Sequence, residues 1–326
     1  MEFDLIERIR ARTTVQRADV RLGIGDDAAV LAVAGGHDLV VCTDTLVEGV
    51  HFPARTHPAD LGWKALAVNL SDLAAMGATP AWATLALTLP VGDAAWVEAF
   101  AAGFDALARE HAVALVGGDT TRGPLSVTVT AHGIVPRGAA LTRAGACVGD
   151  LVFVTGCLGD AAAGLACVLP GHPREAALFA APAAQREALV ARLQRPTPRV
   201  AQGMALRGLA HACIDVSDGL VADLAHVCAA SGVGAEIDAA RLPASSALID
   251  LFDAPERRAL QLGGGDDYEL CFCVADADAD AAIATLARLG GGVTAIGRIV
   301  AGGSVRVHDA LGHTVAPVRS GWNHFS

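Results

Sequence analysis

Val113-Ala114-Leu115-Val116-Gly117-Gly118-Asp119-Thr120-Thr121-Arg122-Gly123 carries an apolar strand straight into a glycine-rich polar segment, and that switch sets how the rest of the chain is read. Two glycines and a carboxylate after a strand put bare backbone amides beside a cation ligand, the composition of a phosphate or metal turn. An ordinary Asx turn between strands has the same composition. What distinguishes the two is whether the pattern recurs.

It recurs along the whole chain. Arg21 to Leu31 is a glycine-broken strand and turn holding Asp26 and Asp27, and Asp38-Leu39-Val40-Val41-Cys42-Thr43-Asp44 reads as a strand ending in polar residues. Ala212-Cys213-Ile214-Asp215 leads into Val216-Ser217-Asp218-Gly219, where the acids either hold a metal or nucleotide or simply cap the helix expected over 221–230. Gly263-Gly264-Gly265-Asp266-Asp267-Tyr268-Glu269-Leu270 spends three glycines ahead of acids, which suits unusual dihedrals, close ligand approach or a flexible connector. From Pro58 to Met76 apolar residues recur at helical intervals and set Asn69 and Asp72 on one face, so Asp72 arrives from a helix. Carboxylates gathered this way repel one another unless cations compensate them, which points to a site for several Mg2+ ions and phosphates.

Other segments frame that reading. Residues 1–12 have helical spacing, 85–89, 125–135 and 151–156 are strand-like, 94–111 is a helix, and Pro196-Thr197-Pro198-Arg199 breaks the chain before a helix near Val200. The expected fold is α/β of the α+β type, in two mixed-sheet domains, 1–138 and 139–326. A regular βαβ alternation is missing, so antiparallel or mixed sheets with helices on one side are expected.

The chain has 326 residues, 53% hydrophobic, enough for a substantial core. Its formal charge of -11 argues against a nucleic-acid surface. With no apolar stretch of about eighteen residues and no leader-like start, no membrane partner and a cytoplasmic location are expected. Eight cysteines form no C-x-x-C pair and read as small core residues, Cys271 and Cys273 sharing one strand face. No Walker A segment is present, and the single lysine, Lys64, reads as a solvated or locally paired helix residue. Phosphate chemistry here therefore falls to metal ions, amides and arginine. Arg143 and Arg122 are candidates to counter phosphate, Arg122 with local pairing as its alternative. His51 either contacts a phosphate or substrate or is satisfied by a backbone carbonyl, and Trp322 either stacks on a heterocycle or packs the terminus. Three functions fit: Mg2+-dependent phosphoryl transfer, a metal-dependent phosphatase, and a non-catalytic ion or nucleotide sensor.

Six stretches then resemble the thiamine-phosphate kinase family of the aminoimidazole ribonucleotide synthetase-like superfamily. They are Gly23-Ile24-Gly25-Asp26-Asp27-Ala28, Thr43 to Phe52, Asn69 to Gly77, Gly117-Gly118-Asp119-Thr120-Thr121, Asp215 to Leu220 and Gly265 to Leu270. The resemblance implies transfer of the ATP γ-phosphoryl group to thiamine monophosphate, with ATP as co-substrate, several Mg2+ ions and a homodimer paired through its N-terminal halves. It implies metal ligation by Asp27, Thr43, Asp44, Asp72, Asp119, Asp215 and Asp218, with Asp44, Asp72, Asp119 and Asp218 closest to the chemistry. Gly118, Asp119, Arg143 and Ser217 are implied for the nucleotide, and His51, Asp266 and Trp322 for the acceptor. One departure stands out: Asp266 occupies a position the family usually fills with glutamate, which shortens its reach by one methylene.

Overall fold

The computed structural model describes residues 2–25, 27–309 and 311–315, the side chains of 2–3 and 175–177 aside. The chain divides into two compact units, 1–73 with 78–138, and 74–77 with 139–326.

The first unit contains α1 (Glu2–Arg12), β1 (Val20–Leu22), β2 (Val30–Leu31), β3 (His37–Val47), α2 (Pro58–Ala75), β4 (Thr79–Leu89), α3 (Ala94–Glu110), β5 (Ala114–Arg122) and β6 (Ser126–Pro136). Its main sheet has the order β3-β6-β4-β5, antiparallel except for the parallel β4–β5 pair, and β1–β2 form a small hairpin. Burial alternates along β6, with Val127, Val129, Ala131 and Val135 facing inward. Ile134 falls on the opposite face, where it packs against Ala81, Trp82, Ala114 and Val116.

Three strands outrun their sequence expectation. β3 continues past Asp44 because Thr45, Leu46 and Val47 go on pairing with Thr128, Val127 and Ser126. β5 carries its ladder through the glycines to Arg122, so Asp119 stands within a strand and not in a turn. Gly118 permits this: a Cβ there would lie 1.9 Å from the Leu85 carbonyl oxygen. β4 starts at Thr79 despite Pro80, which stands opposite Gly133 of β6 beside a register shift and ahead of the β4–β5 ladder that begins at Trp82.

Helices α2 and α3 cross with their backbones almost touching. A Cβ on Gly62 would meet the Phe100 carbonyl oxygen at 2.1 Å, and one on Gly103 the Ala59 carbonyl oxygen at 1.8 Å. Lys64, in the same helix, is 3% exposed rather than solvated.

The second unit contains β7 (Leu151–Thr155), α4 (Asp160–Val168), α5 (Glu175–Ala180), α6 (Ala183–Gln194), α7 (Val200–Ala205), β8 (Ala210–Val216), α8 (Leu220–Ser231), β9 (Gly234–Asp238), α9 (Ser246–Leu251), α10 (Ala254–Gly263), β10 (Glu269–Val274), α11 (Ala279–Ala287), β11 (Val293–Val300) and β12 (Val305–His308). Six strands form one mixed sheet, β12-β9-β11-β7-β10-β8, with β12–β9 its parallel pair. Its core joins Val152, Val154, Ile214, Leu224 and Ile296 with Cys271 and Cys273, both buried. All eight cysteines are unpaired thiols. Among the described residues, no helix is long and apolar enough to cross a membrane.

Candidate functional site

In the first unit, strand alternation sorts the candidate ligands onto two faces of the sheet. Cys42 and Asp44 point the same way, toward α2. The Cys42 thiol donates to the Asn69 carbonyl oxygen at 3.4 Å, and burial, together with Asp72 and Asp44 beside it, pushes that thiol well above its ordinary pKa. Asp44 from a strand and Asp72 from a helix are thus brought together around one sulfur. The shared helical face of Asn69 and Asp72 is present as read from the spacing.

Thr43 projects from the other face, where its hydroxyl bonds the Thr130 hydroxyl at 2.9 Å, and Thr45 pairs with Thr128 in the same way at 2.8 Å. Asp119 belongs to this open face too. It opposes Ala86, which opposes Thr128, the partner of Thr45. Gly118 and Asp119 also line a concavity with Ile6, Ile9, Ile24 and Leu85. Asp27 is exposed in the turn between β1 and β2. Asp26 and Trp322 lie outside the described residues.

At His51 the Val47 amide donates to Nδ1 at 3.0 Å. An acceptor Nδ1 places the ring proton of the neutral imidazole on Nε2.

In the second unit β8 delivers Asp215, 4% exposed, and then Ser217 and Asp218 ahead of α8. Neither Ser217 nor Asp218 caps that helix. Gly219 is the N-cap residue and makes no side-chain bond. The capping work is done from inside the helix by Asp223, whose Oδ2 accepts the Ser217, Asp218 and Gly219 amides, each at 3.1 Å. Burial, with Asp215 and Asp218 as further causes, pushes Asp223 up to about 7 against the pull of its amides. Sequence reasoning missed this residue. The available signal was an acid in the first turn of a helix, four residues after Gly219.

The segment after α10 is tied to the same turn. The Asp266 amide donates to the Ser217 carbonyl oxygen and the Tyr268 amide to that of Val216, both at 2.8 Å. Left-handed backbone falls on Asp266 (φ 67°) and Tyr268 (φ 50°), not on the preceding glycines, a strain held by those bonds. Gly265 serves instead for close approach, since a Cβ there would lie 2.6 Å from the Ser217 carbonyl oxygen. The Tyr268 hydroxyl donates to Asp266 Oδ1 at 2.9 Å and so aims the carboxylate. Ser217, Asp218 and Asp266 therefore form one constellation, with Asp215 at its buried end.

Beneath it sits a buried ionic knot. Glu269, fully buried, accepts two bonds from Arg199 at 2.6 Å, one from Arg192 at 2.8 Å and one from the Thr155 hydroxyl at 2.7 Å. Arg192 also donates to the Asp267 carbonyl oxygen at 3.2 Å, which anchors the strained segment from below. Arg143 is exposed; its carbonyl accepts from Ser231, and the neighbouring Thr142 carbonyl accepts from Cys213 of β8.

Comparison with known proteins adds to this geometry. Residues 25–135 match the family model for the AIR synthase related protein N-terminal domain, and residues 148–310 that for its C-terminal domain. The chain is 49% identical to the thiamine-monophosphate kinase of Escherichia coli (strain K12) over 327 aligned residues, covering 100% of this chain and 98% of that one. Among solved structures it is similar to the thiamine-monophosphate kinase from Stenotrophomonas maltophilia K279a (TM-score 0.86, 54% identity, 94% of this chain and 96% of that one). It is also similar to AaThiL complexed with AMPPCP and TMP (TM-score 0.76, 32% identity, 99% and 96% covered).

Proposed function

As the chain belongs to the thiamine-monophosphate kinase family, we propose that it phosphorylates thiamine monophosphate to thiamine diphosphate at the expense of ATP. A terminal phosphate oxygen of the acceptor forms the new bond to the γ-phosphorus, the bond from that phosphorus to the β–γ bridging oxygen breaks, and ADP leaves. The observation that carries this reading is near-full-length similarity to a relative solved with AMPPCP and TMP, an ATP analogue together with an acceptor monophosphate.

The carboxylates suit Mg2+, a hard cation that takes oxygen ligands. Burial chiefly, and after it Asp215 and Asp218, push Asp223 up to about 7, and a cation bound at those two acids would relieve the repulsive part. Asp27, Asp44, Asp72, Asp119, Asp215 and Asp218 would hold the ions, with Thr43 contributing through its main chain because its hydroxyl is bonded to Thr130. Bound Mg2+ supplies charge neutralisation between two anionic ligands.

The protein's own groups bind and orient. Gly118 and Ser217 offer backbone and hydroxyl contacts to the nucleotide, and Arg143 offers a mobile positive charge. Asp266, aimed by Tyr268, and His51 are the acceptor-side candidates, as is Trp322, which lies outside the described residues. No general base is required, because the acceptor oxygen is already anionic.

In the same reading the first unit carries dimerisation and metal and ATP binding, and the second carries nucleotide and substrate contacts. Leu39 and Val41, 46% and 53% exposed on the open face of edge strand β3, support pairing of two first units into a homodimer. A cytoplasmic location fits an ATP-consuming enzyme with eight free thiols. The test is to incubate the protein with ATP, Mg2+ and thiamine monophosphate and to quantify ADP, inorganic phosphate and thiamine diphosphate separately, with free thiamine as competitor. Equimolar ADP and thiamine diphosphate is the expected result. ADP with inorganic phosphate and no diphosphate would overturn the assignment in favour of a phosphatase.

A further inference from the structure

Three side chains of different donor type meet in the second unit, at the end of the sheet where β7 and β8 begin. Leu151 of β7 and Ala210 of β8 both oppose Val274 of β10. Asp150, just before β7, and His211, the second residue of β8, are thereby brought to the same edge. His211 is also the extra residue of a β-bulge: Ala210 opposes Val274 and Ala212 opposes Cys273, so His211 has no partner in the ladder. Bulges re-aim side chains, and this one turns the imidazole onto Asp150, with Nδ1 2.9 Å from Oδ2.

Cys147 completes the group. Its amide donates to the same Asp150 oxygen at 2.8 Å, and one donor atom each from Cys147, Asp150 and His211 lies within 4.8 Å of the other two. The loop that presents them is fixed at several points. The Gly145 and Ala146 amides donate to Ser231 Oγ, the Gly149 amide to the Ile299 carbonyl oxygen, and Arg298 to the Gly149 carbonyl oxygen. Asp150 is buried while Cys147 and His211 are exposed, so the group has a rigid floor and an open entrance.

The geometry points to a binding site for one borderline-soft divalent transition-metal ion, Zn2+ in type, held by Cys147, Asp150 and His211 with water in the fourth position. Thiolate, imidazole and carboxylate are the donors such ions take in tetrahedral sites, whereas Mg2+ demands an all-oxygen shell. Ligand atoms in a tetrahedral zinc site stand about 3–4 Å apart; to reach that spacing the exposed Cys147 thiol would give up its bond to the Gly145 carbonyl oxygen, 3.4 Å away, on losing its proton as the metal binds. The site is independent of the phosphoryl-transfer reading: its donors share no residue with the Asp215, Ser217, Asp218 and Asp266 constellation.

The test is titration of the full-length protein, thiols reduced, with Co2+ and then Zn2+ under excess Mg2+. One equivalent of Co2+ should produce visible d–d bands and a near-ultraviolet thiolate-to-cobalt band, bleached by Zn2+, and Zn2+ should raise the melting temperature. Cys147→Ser and His211→Ala, both at exposed positions, should keep the wild-type fold by circular dichroism and weaken Zn2+ by more than about tenfold. Cys147→Ser should also remove the charge-transfer band, and Cys167→Ser should change nothing. An unaltered band and affinity in Cys147→Ser or His211→Ala, or no binding of Co2+ or Zn2+ under excess Mg2+, would overturn the proposal. None of these readouts depends on turnover.

Discussion

Asp223→Ala tests whether one buried carboxylate sets the Ser217–Gly219 turn. The wild-type side chain takes three amides on a single oxygen. On its loss, the Gly219 amide is left buried, and a buried donor without a partner costs about 1–3 kcal/mol. The Ser217 and Asp218 amides are only partly buried, so water can reach them, and each adds at most about 1 kcal/mol. The expected loss is about 1–5 kcal/mol, or about 2–20 °C in the melting temperature of a domain of this size. Asp223→Asn separates geometry from charge. It keeps an acceptor oxygen and removes the repulsion from Asp215 and Asp218, so its stability should fall within about 1 kcal/mol of wild type. In steady-state assays Asp223→Ala should lower kcat/KM for MgATP roughly ten- to hundredfold, since Ser217 and Asp218 lose their fixed position. An alanine variant with wild-type melting and wild-type kinetics would refute the claim that Asp223 organises this turn.

Arg199→Ala leaves Glu269 buried with one arginine instead of two and should cost about 3–5 kcal/mol in urea denaturation; a loss under about 1 kcal/mol would mean that Arg192 and Thr155 suffice. Tyr268→Phe removes one hydrogen bond to Asp266, worth about 0.5–1.5 kcal/mol, and should raise KM for thiamine monophosphate two- to tenfold with KM for ATP unchanged; an equal rise in both would contradict a substrate-side role. Gly103→Ala forces α2 from α3 against backbone 1.8 Å from the new methyl and should destabilise by several kcal/mol, about 3 or more, whereas Gly36→Ala, in open space but left-handed, should cost only about 1 kcal/mol; similar melting for the two would refute the packing argument. Arg17, the principal cause, and Trp82 hold Asp19 below its ordinary pKa of 3.8. A depressed folded-state value gives stability that is present above the ordinary value and lost as pH falls through the folded one. Asp19→Asn should therefore flatten the acid limb below about pH 4 and leave the neutral-to-alkaline slope unchanged.

Which parts of the site could be read from the letters follows from what each residue touches. Asp44, Asp72, Asp215 and Asp218 stand out in sequence because each is a carboxylate set within or directly after an apolar run. Asn69 and Asp72 were legible as one face because the helical repeat is strict over Pro58–Ala75. Thr43 and Asp44 look equivalent as neighbours, yet β3 runs on to Val47 and alternation sends them to opposite faces. No property of the pair itself reveals this, because the decision rests on the β6 residues they oppose. Asp223, Tyr268 and Arg199 escaped for a related reason. Each acts on a backbone amide or on another side chain: Asp223 and Tyr268 reach near neighbours through the way the local backbone turns, and Arg199 reaches Glu269 through tertiary register. The same holds for the three glycines ahead of Asp266. Their number suggested unusual dihedrals, close ligand approach or a flexible connector; the left-handed backbone sits on Asp266 and Tyr268, and Gly265 is small because the Ser217 carbonyl passes beside it. Sequence pattern thus singles out candidate ligand groups, while the groups that hold those in place become visible only when the folded backbone shows which of them share a hydrogen bond. That difference makes Asp223→Ala and Tyr268→Phe sharper tests of the site than removal of Asp218 or Asp266. Loss of a ligand-facing acid abolishes function under almost any mechanism, whereas loss of a positioning contact lowers it by the amount that this particular geometry dictates.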